Sequence, residues 1–596
     1  MLSFIERATQ LRIRRFFRRR RRGLETVAEQ IDDSFEHNVL NRAKNILPVW
    51  RFVVGWLGLV TLVAGLTIAQ SFGLAKLYQK ELPVTGGVYT EGMLGTFSNA
   101  NPLYASSAVD NAVSRLVFSG LMKYNESNQL TTDLAKSMDV DSTGRVYTLT
   151  LRDNLRWHDG QPLTVDDVVF TYKLIQNPDA DSALRTSWQG IGVTKLDART
   201  VRFTLPSTLA SFKYSLTTGI VPAHILSKIP ANELRAHPFN TREPVGAGPY
   251  AWVGLDLRDP ASEKETSVIA LAPYEQFHTG KPGLERLLIQ TYASEKALIN
   301  AFTQNEVTAV AGLSKKPAQF NELENVRTYS FPNTAAVMVF FKTTEGILAD
   351  GKVRQALVRA TYRTDFSKEI ASVFRPISAP LLPDQVGYDK TYVQAPYNPS
   401  EAQKILDDAG WSKGSNGLRS KDGKPLLVRL YGEETTDNLV ILKKLKKSWG
   451  DIGVDVRLEA QEKANFQTTM NFHTYDAVLY GISLGPDPDV YAYWHSTQAD
   501  VRSSSRLNFS EYKSKATDAS LEGGRTRLEP ETRKVKYQPF LKAWQEDAPA
   551  VALYQPRSFY FVRGTVYGLK NQVINTDADR YNNAANWKIH TAGVTQ

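Results

Sequence analysis

The 596-residue sequence contains no cysteine and only eight histidines. The absence of cysteine excludes disulfides, thiolate metal sites, a cysteine nucleophile and a lipid-modified N-terminal cysteine. It does not fix the compartment, because a large domain can be secreted without disulfides. No two histidines lie four residues apart and none begins an H-E-x-x-H run, so a local zinc motif is also missing. We therefore predict neither a metal site nor a cofactor.

Basic residues outnumber acidic residues, and most of the excess lies near the N-terminus. The chain has a formal charge of +10, of which residues 1–51 hold +6. The remaining 545 residues carry only +4. The basic character is therefore mainly a property of the N-terminus, and the sequence gives no reason to expect a main body that binds nucleic acid.

Residues 52–75 contain no formally charged side chain. At 1.5 Å per residue, such a helix spans the ~30 Å hydrocarbon core of a membrane. The alternative is a cleaved signal peptide. The segment lies far from the start and exceeds the usual ~7–15-residue apolar region, which favours a retained anchor. We predict a transmembrane helix over 52–77 and a linker over 78–85.

The arginine-rich run "RIRRFFRRRRR" at 12–22 precedes this helix. Basic flanks stay on the cytoplasmic side, so we predict a cytoplasmic N-terminus and an extracytoplasmic region from about residue 80. Segment 1–51 is predicted to contain an amphipathic helix, because Leu24, Val27, Ile31 and Phe35 follow helical spacing. We interpret the arginines as topology determinants that contact anionic lipid; nucleic-acid binding is the alternative interpretation.

The outer region mixes strand and helix patterns, which predicts α/β lobes. Alternating apolar residues indicate strands, and apolar residues at helical spacing indicate helices. Ser400 is expected to cap one of these helices. The predicted elements are strands at 144–152 and 197–206, helices at 295–307, 351–363 and 398–411, and a helix, turn and strand over 437–460.

One stretch, "LRWHDGQPLTVDDVVFTY" at 155–172, places a histidine among three aspartates. The cluster could indicate a metal site or acid–base catalysis. However, His158-Asp159-Gly160 is typical of a turn. Thr164 and Asp167 have the spacing of a capping box, and carboxylates in a first helical turn are favourable. We therefore interpret the stretch as a strand exit, a turn and a capped helix.

"GISLG" at 481–485 fits the G-x-S-x-G pattern around Ser483. A nucleophile elbow requires a helix directly after the serine. Pro486 and Pro488 follow instead and disfavour helical backbone before them. We predict no serine nucleophile and no enzymatic activity.

An ordered set of motifs spans about 86–560. The blocks are "NPLY" (101–104), residues 134–172, "PVGAGPY" (244–250), "YEQFHTGKPGLERLLIQTY" (274–292), "GKVRQALVRATYR" (351–363), "YNPSEAQKILDDAGW" (397–411), "YDAVLYGISLGPDPDVYAYW" (475–494) and "EDAPAVALYQP" (546–556). Together they resemble the family 5 extracellular solute-binding proteins, which are peptide-, dipeptide- and nickel-binding receptors of ABC importers. The sequence departs from the family pattern at Trp157, Val165, Ala247, Phe277-His278 and Thr361-Tyr362.

The resemblance implies a mixed α/β, two-lobed periplasmic-binding-protein-like fold of type II, with an extra subdomain and a preceding transmembrane helix. It encloses ligand between lobes that close by hinge motion. Lobe one would comprise 86–125, 243–335 and 541–596. The extra subdomain would comprise 126–242, and lobe two 336–540.

The resemblance also supplies candidate ligand contacts. In peptide-binding members an aspartate pairs with the α-amino group of the ligand, and Leu484 occupies that position here. Asp487 or Asp489 could replace it, or both could cap a proline-rich turn. Tyr491 and Trp494 could be cleft aromatics or core residues. The full candidate set is Asn101, Ser483, Leu484, Asp487, Asp489, Tyr491, Trp494 and Tyr554.

The function implied is a membrane-anchored receptor that captures peptides, with oligopeptides first among them, for an ABC importer. Its partners would be the peptide, the permease and ATPase subunits, and the membrane through 52–77. No nucleic acid is expected, and the chain is expected to be a monomer. The alternatives are a ligand-sensing signalling receptor and, more remotely, an anchored hydrolase.

Overall fold

A computed structural model describes residues 50–258, 266–503 and 506–595. The predicted amphipathic helix and almost all of the basic segment 1–51 lie outside the described residues. The described chain divides into two compact units, one formed by the residues up to 82 together with 591–596, the other by 83–590.

The strands, in chain order, are β1 Gln79–Val84, β2 Val88–Leu94, β3 Met122–Tyr124, β4 Leu130–Thr132, β5 Ala135–Val140, β6 Val146–Leu151, β7 Gly192–Lys195, β8 Thr200–Thr204, β9 Tyr250–Arg258, β10 Thr266–Pro273, β11 Arg286–Tyr292, β12 Ala309–Ala311, β13 Val326–Pro332, β14 Ala335–Phe341, β15 Val373–Pro376, β16 Ser412–Lys413, β17 Arg419–Lys421, β18 Lys424–Pro425, β19 Leu427–Glu433, β20 Asp455–Gln461, β21 Ala477–Ser483, β22 Ala550–Arg563 and β23 His590–Thr595.

The α-helices are α1 Trp50–Tyr78, α2 Ala108–Val117, α3 Val165–Gln176, α4 Arg185–Trp188, α5 Phe212–Ser215, α6 Ala223–Leu226, α7 Glu295–Thr303, α8 Gly351–Arg359, α9 Pro399–Asp408, α10 Thr436–Asp451, α11 Lys463–Phe472, α12 Tyr491–Trp494, α13 Lys515–Arg525 and α14 Pro530–Asp547.

The first unit contains α1, and β1 pairs with β23 in a two-stranded sheet. The stretch Trp50–Ser71 of α1 is long and apolar enough to cross a membrane, and none of its side chains is buried. The helix predicted over 52–77 is therefore present, with two further residues at its start and one at its end.

A twelve-stranded sheet organises the second unit. Its main order is β20-β19-β21-β14-β22-β12-β2-β11-β10-β9, and β13 and β15 also pair with β22. The 14-residue strand β22 is central: Ala552 lies opposite Met338 of β14, and Phe561 lies opposite Val310 of β12. One long strand thus pairs with four strands, β12, β13, β14 and β15.

A separate four-stranded sheet has the order β5-β6-β8-β7. Tyr147, Leu149 and Leu151 of β6 are buried on one face, while the residues between them are partly exposed. The predicted half-buried strand at 144–152 is therefore confirmed, because its alternating sequence covers one face of this sheet.

The stretch at 155–172 forms the predicted turn and capped helix. Gly160 has φ +84°, and α3 begins with a capping box in which Thr164 and Asp167 satisfy each other's backbone N–H groups. The other carboxylate oxygen of Asp167 accepts a hydrogen bond from the backbone N–H of Ala223 at 2.9 Å. These carboxylates stabilise local structure and assemble no reaction centre.

His158 joins this stretch to the "PVGAGPY" loop. Its Nδ1 accepts a hydrogen bond from Gly246 N at 3.3 Å, and its Nε2 donates to Gly248 O at 3.0 Å. Burial lowers the pKa of His158 to about 4, which keeps the ring neutral and Nδ1 free to accept. A Cβ at Gly246 would collide with the carbonyl of Val117, so this loop requires glycine where it passes the end of α2.

The cap of α9 differs from the prediction. Asn398, not Ser400, is the N-cap, and its Oδ1 accepts a hydrogen bond from Glu401 N at 3.0 Å. Pro399 occupies the first helical position, where its missing N–H costs nothing and its fixed φ suits the helix. The cap therefore lies one residue before the proline.

The predicted lobe boundary at 541 falls inside α14, which runs unbroken from Pro530 to Asp547. Phe540 and Trp544 of this helix pack in one apolar core with Met338 and Phe340 of β14. The division into lobe one, subdomain and lobe two remains a prediction.

His158 should make folding stability depend on pH. The folded-state pKa of about 4 lies below the ordinary 6.5, so between these values the unfolded chain takes up a proton that the folded chain does not. The unfolding free energy should therefore fall by up to about 3 kcal/mol as the pH is lowered through this window. The unfolding free energy of His158→Gln, measured by urea denaturation, should not show this fall with pH.

The matched control is His590→Gln, because His590 is exposed. This variant should keep the pH dependence of the natural chain. The prediction would be contradicted if the unfolding free energy of His158→Gln changed with pH as steeply as that of the natural chain.

Candidate ligand-binding site

The loop after β21 contains most of the predicted ligand contacts. Ser483 ends β21 and is exposed, and its carbonyl accepts a hydrogen bond from the Tyr493 hydroxyl at 2.9 Å. No helix follows it until α12 at Tyr491, so the G-x-S-x-G pattern does not form a nucleophile elbow. Leu484 is buried in an apolar core with Ile482 and Val490. Its position therefore offers a ligand no charge.

Asp487 forms a buried ion pair with Arg533 of α14. The guanidinium donates two hydrogen bonds to the carboxylate, at 2.7 and 2.5 Å, and both side chains are 5% exposed. Burial alone would lower the pKa of Arg533, but the hydrogen bonds and charge of Asp487 raise it above its ordinary value. Because separating such a pair leaves an unpaired buried charge, Asp487 is committed to Arg533.

Asp489 lies two residues further along the same loop. Its Oδ2 accepts hydrogen bonds from Arg525 Nη2 at 2.9 Å and from Ser211 Oγ at 3.3 Å. Its Oδ1 is buried and has no hydrogen-bond partner among the described residues. Arg525 also lies over the ring of Tyr491, 4.1 Å from its centroid. Asp489 thus links this loop to the segment that contains Ser211.

Two of the three remaining aromatic candidates are buried in apolar cores. Trp494 is fully buried, with ring centroids of Phe340 and Trp544 at 5.6 and 5.7 Å. Tyr554 of β22 is 4% exposed, and burial raises the pKa of its hydroxyl. Tyr491 is half-buried and stacks on His495 at 4.0 Å. Tyr491 is therefore the most accessible of the three.

Asn101 holds a turn rather than facing solvent. It is 1% exposed, its Nδ2 donates to Asn240 Oδ1 at 3.1 Å, and its Oδ1 accepts from Leu103 N at 3.0 Å. The side-chain donors and acceptors are thus used within the protein. This turn nevertheless leads directly into the wall of a cavity.

The cavity has a volume of 560 Å³. Its wall is built from the turn after Asn101, the end of α2, β3 with the residues after it, and segments from other parts of the chain. Residues that line it include Pro102, Ala105, Asn111, Ser114, Arg115, Phe118, Lys123, Tyr124, Glu126, Asp133, Thr217, Thr218, Gly219, Phe277, Thr576, Asn582, Asn583 and Asn586.

The charged side chains of this wall are paired within the protein. Arg115 Nη2 lies 3.0 Å from Asp579, Lys123 Nζ 3.2 Å from Asp133, and Glu126 2.5 Å from Lys570 Nζ. The hydrogen bond from Lys570 holds the pKa of Glu126 below its usual range. The wall therefore combines positive and negative groups in equal number.

Asp133 is the most buried of the four charged side chains that line the cavity. Its Oδ1 also contacts His278 Nε2 at 2.9 Å. Burial alone would raise the pKa of Asp133, but the hydrogen bond from His278 and the charge of Lys123 outweigh burial and lower it. Asp133 is consequently a fixed carboxylate that positions Lys123 at the cavity wall.

Two tyrosines connect the cavity to the loop after β21. The rings of Tyr124 and Tyr214 stack with centroids 6.3 Å apart. Burial raises the pKa of the Tyr214 hydroxyl, and the Asp487 carboxylate raises it further. The predicted contact loop therefore lies within electrostatic reach of the cavity.

Sequence reasoning missed most of this cavity. The lining residues 576–586 belong to no motif that the sequence analysis singled out, although Asn582-Asn583 is a visible pair of amides. Among the residues that the structure describes, no group of three histidines, aspartates and glutamates is arranged to hold a metal ion.

Comparisons with known proteins agree with this architecture. Oligopeptide-binding protein AppA of Bacillus subtilis is 25% identical over 506 residues, covering 82% of this chain and 90% of AppA. The solved structure of that protein with a nonapeptide has a TM-score of 0.69 at 23% identity, covering 85% of this chain and all of AppA. NikZ of Campylobacter jejuni, solved with Ni(L-His), has a TM-score of 0.71 at 25% identity, covering 84% of this chain and 99% of NikZ.

The resemblance proposed from the sequence motifs and the type II fold are both confirmed. The model of the bacterial extracellular solute-binding proteins, family 5, matches residues 129–503, more than half of the chain. This family consists of substrate-binding proteins. Its matched residues include the His158 turn, α3 and the loop after β21, and so the chain belongs to the family 5 bacterial extracellular solute-binding proteins.

Proposed function

We propose that this chain captures peptides outside the membrane and delivers them to the permease and ATPase subunits of an ABC importer, without chemistry on the ligand. Membership of the family supports the receptor role. The similarity to the oligopeptide-binding protein AppA supports peptides as ligands.

The 560 Å³ cavity is the observation that carries this proposal. Ligand cavities typically measure about 300–1,000 Å³ and combine apolar walls with a few placed polar groups. This wall offers aromatic rings from Phe118, Tyr124 and Phe277, and amides from Asn111 and Asn582. Such groups suit the alternating N–H donors, carbonyl acceptors and side chains of a peptide.

Ligand capture would bring together the lobes predicted from the sequence. The subdomain predicted over 126–242 contains Ser211 and Tyr214, and the loop after β21 belongs to predicted lobe two. The Ser211–Asp489 hydrogen bond supports contact between these two regions. Ser483, Asp489 and Tyr491 are the members of the predicted contact set that keep solvent-exposed surface.

The receptor is proposed to be a monomer held to the membrane by α1, with residues 1–49 in the cytoplasm. The apolar stretch Trp50–Ser71 supports the anchor. The excess of basic residues before it supports the orientation, because basic flanks remain on the cytoplasmic side.

Filling the cavity should abolish ligand binding. Ala105 lines the cavity and is half-buried, so Ala105→Trp places an indole in the space meant for ligand. A mixture of tri- to pentapeptides with free and blocked ends should stabilise the natural chain by ~2.7 kcal/mol at a hundredfold excess over Kd. The Ala105→Trp variant should show no such shift in thermal unfolding.

Ala108→Trp is the matched control. Ala108 is exposed on α2 three residues away and does not line the cavity. This variant should retain the ligand-induced shift. Absence of a shift in the natural chain would refute peptide capture.

The topology can be tested by cysteine labelling, since the natural sequence contains no cysteine. A cysteine introduced as Asn300→Cys, at an exposed position on α7, should react with a membrane-impermeant maleimide in intact spheroplasts. A cysteine introduced as Ser3→Cys should react only after lysis. Labelling of the Ser3→Cys variant before lysis would contradict a cytoplasmic N-terminus.

A further inference from the structure

Two carboxylates line the 560 Å³ cavity among the described residues, those of Asp133 and Glu126. Asp487 and Asp489, which the sequence offered as substitutes for an acid at Leu484, lie outside this wall. A positively charged ligand group needs a counterion, because burying an ammonium without one is costly. The carboxylates of the wall are therefore the groups to compare.

Asp133 is neutralised from inside the protein. Its Oδ1 lies 3.2 Å from Lys123 Nζ and 2.9 Å from His278 Nε2, and its side chain is almost fully buried. A ligand ammonium at Asp133 would lie beside the Lys123 ammonium, and like charges at such short distances repel. Asp133 therefore serves Lys123 and offers little to a cationic ligand.

Glu126 is held differently, because one of its partners comes from the solvent-exposed surface. It lies in the turn between β3 and β4, where Asn128 N donates to Asn125 O at 3.0 Å. Its Oε1 accepts a hydrogen bond from Asn583 Nδ2 at 2.9 Å, and its Oε2 accepts one from Lys570 Nζ at 2.5 Å. The side chain of Glu126 is 36% exposed and that of Lys570 is 66% exposed. Asn583 thus orients the carboxylate, and a surface lysine neutralises it.

This lysine can be exchanged for a ligand ammonium. Lys570 lies outside the cavity wall, and its ammonium can return to water when the pair opens. Exposed ion pairs contribute little to stability, so opening this one costs little. Hydrogen bonds from Lys570 and Asn583 hold the pKa of Glu126 below its usual range, which keeps the carboxylate charged at neutral pH. A ligand ammonium in place of Lys570 preserves the charge balance at Glu126.

The two cations of the cavity wall leave the charge of Glu126 in place. Arg115 lies 3.0 Å from Asp579, and Lys123 lies 3.2 Å from Asp133. Both of these acids are almost fully buried, so each cation is compensated by its own counterion. Glu126 is therefore the acid of the wall whose charge a ligand can take over.

We propose that Glu126 anchors an ammonium group of the ligand through Oε2, and that Lys570 fills this position as an internal counterion until the ligand displaces it. The inference rests on the proposed function and deepens it, because it names the chemistry of one end of the ligand. It also places the anchoring acid on the turn after β3, whereas the position of Leu484 lies on the loop after β21.

The first test compares two tripeptide libraries without lysine, arginine or histidine, both amidated at the C-terminus. One library has a free N-terminus and the other is acetylated. Each is incubated with the full chain in detergent micelles, and retained peptide is measured by native mass spectrometry. We expect the free-amine library to be retained about tenfold more strongly, the value of one hydrogen bond between charged groups.

The outcomes of this comparison separate the two proposals. Equal retention, or preference for the acetylated library, overturns the ammonium anchor and leaves peptide capture standing. Retention of neither library overturns both.

The second test changes each member of the ion pair. Glu126→Gln removes the charge at constant size and should lower retention of the free-amine library about tenfold, to the level of the acetylated library. Lys570→Met removes the internal competitor and should raise retention of the free-amine library about threefold, the strength of an exposed ion pair. The melting temperature without ligand verifies that both variants fold.

The opposite signs distinguish an anchor from a structural ion pair, whose loss would lower retention in both variants. Unchanged retention in Glu126→Gln overturns the anchor. Unchanged or lowered retention in Lys570→Met overturns the role of Lys570 as an internal counterion.

Glu345→Gln is the matched control. Glu345 is exposed, lies outside the cavity wall and forms an ion pair with Lys342 at 2.6 Å, so the variant makes the same charge change and opens a comparable pair. It should keep the preference of the natural chain for free amines. Loss of that preference in Glu345→Gln would overturn the assignment to Glu126.

Discussion

The structure of the ligand-binding unit depends on one shared strand. The C-terminal part of β22 pairs with β12 and β13, and its N-terminal part pairs with β14 and β15. Because a strand satisfies its backbone N–H and C=O groups through its neighbours, β22 cannot leave either group without exposing them. β22 thus holds these four strands in one sheet, and the segment that contributes residues 576–586 to the cavity wall comes after it in the chain.

Charge neutralisation is the second organising feature. Buried charges are tolerated only when paired, and this protein pairs Asp487 with Arg533, Asp579 with Arg115 and Asp133 with Lys123. The last two pairs bring Arg115 and Lys123 to the cavity wall, where the ring of Tyr124 stacks on Tyr214.

Local signals in the sequence were interpreted correctly where local physics decides the outcome. The capping box of Thr164 and Asp167 depends on neighbours in sequence, and it forms as predicted. The apolar stretch over 52–75 likewise predicts α1 from its own composition and length. The N-cap of α9 is Asn398 and not the predicted Ser400, because Pro399 favours the first helical position. The contacts of His158 are not visible in the sequence, since its partners Gly246 and Gly248 lie far away in the chain.

The sequence by itself determined the family, the fold class, the membrane-length helix and the turn at 155–172. Each of these depends on composition, on spacing between near neighbours, or on an ordered set of motifs. Tertiary structure alone decided which candidate side chains are buried, paired or accessible. Trp494 and Leu484 lie in a core, Asp487 is paired with Arg533, and Ser483 stays exposed. The physical reason is that the availability of a charge or hydrogen-bonding group depends on partners brought together by folding, and sequence separation gives no measure of that distance.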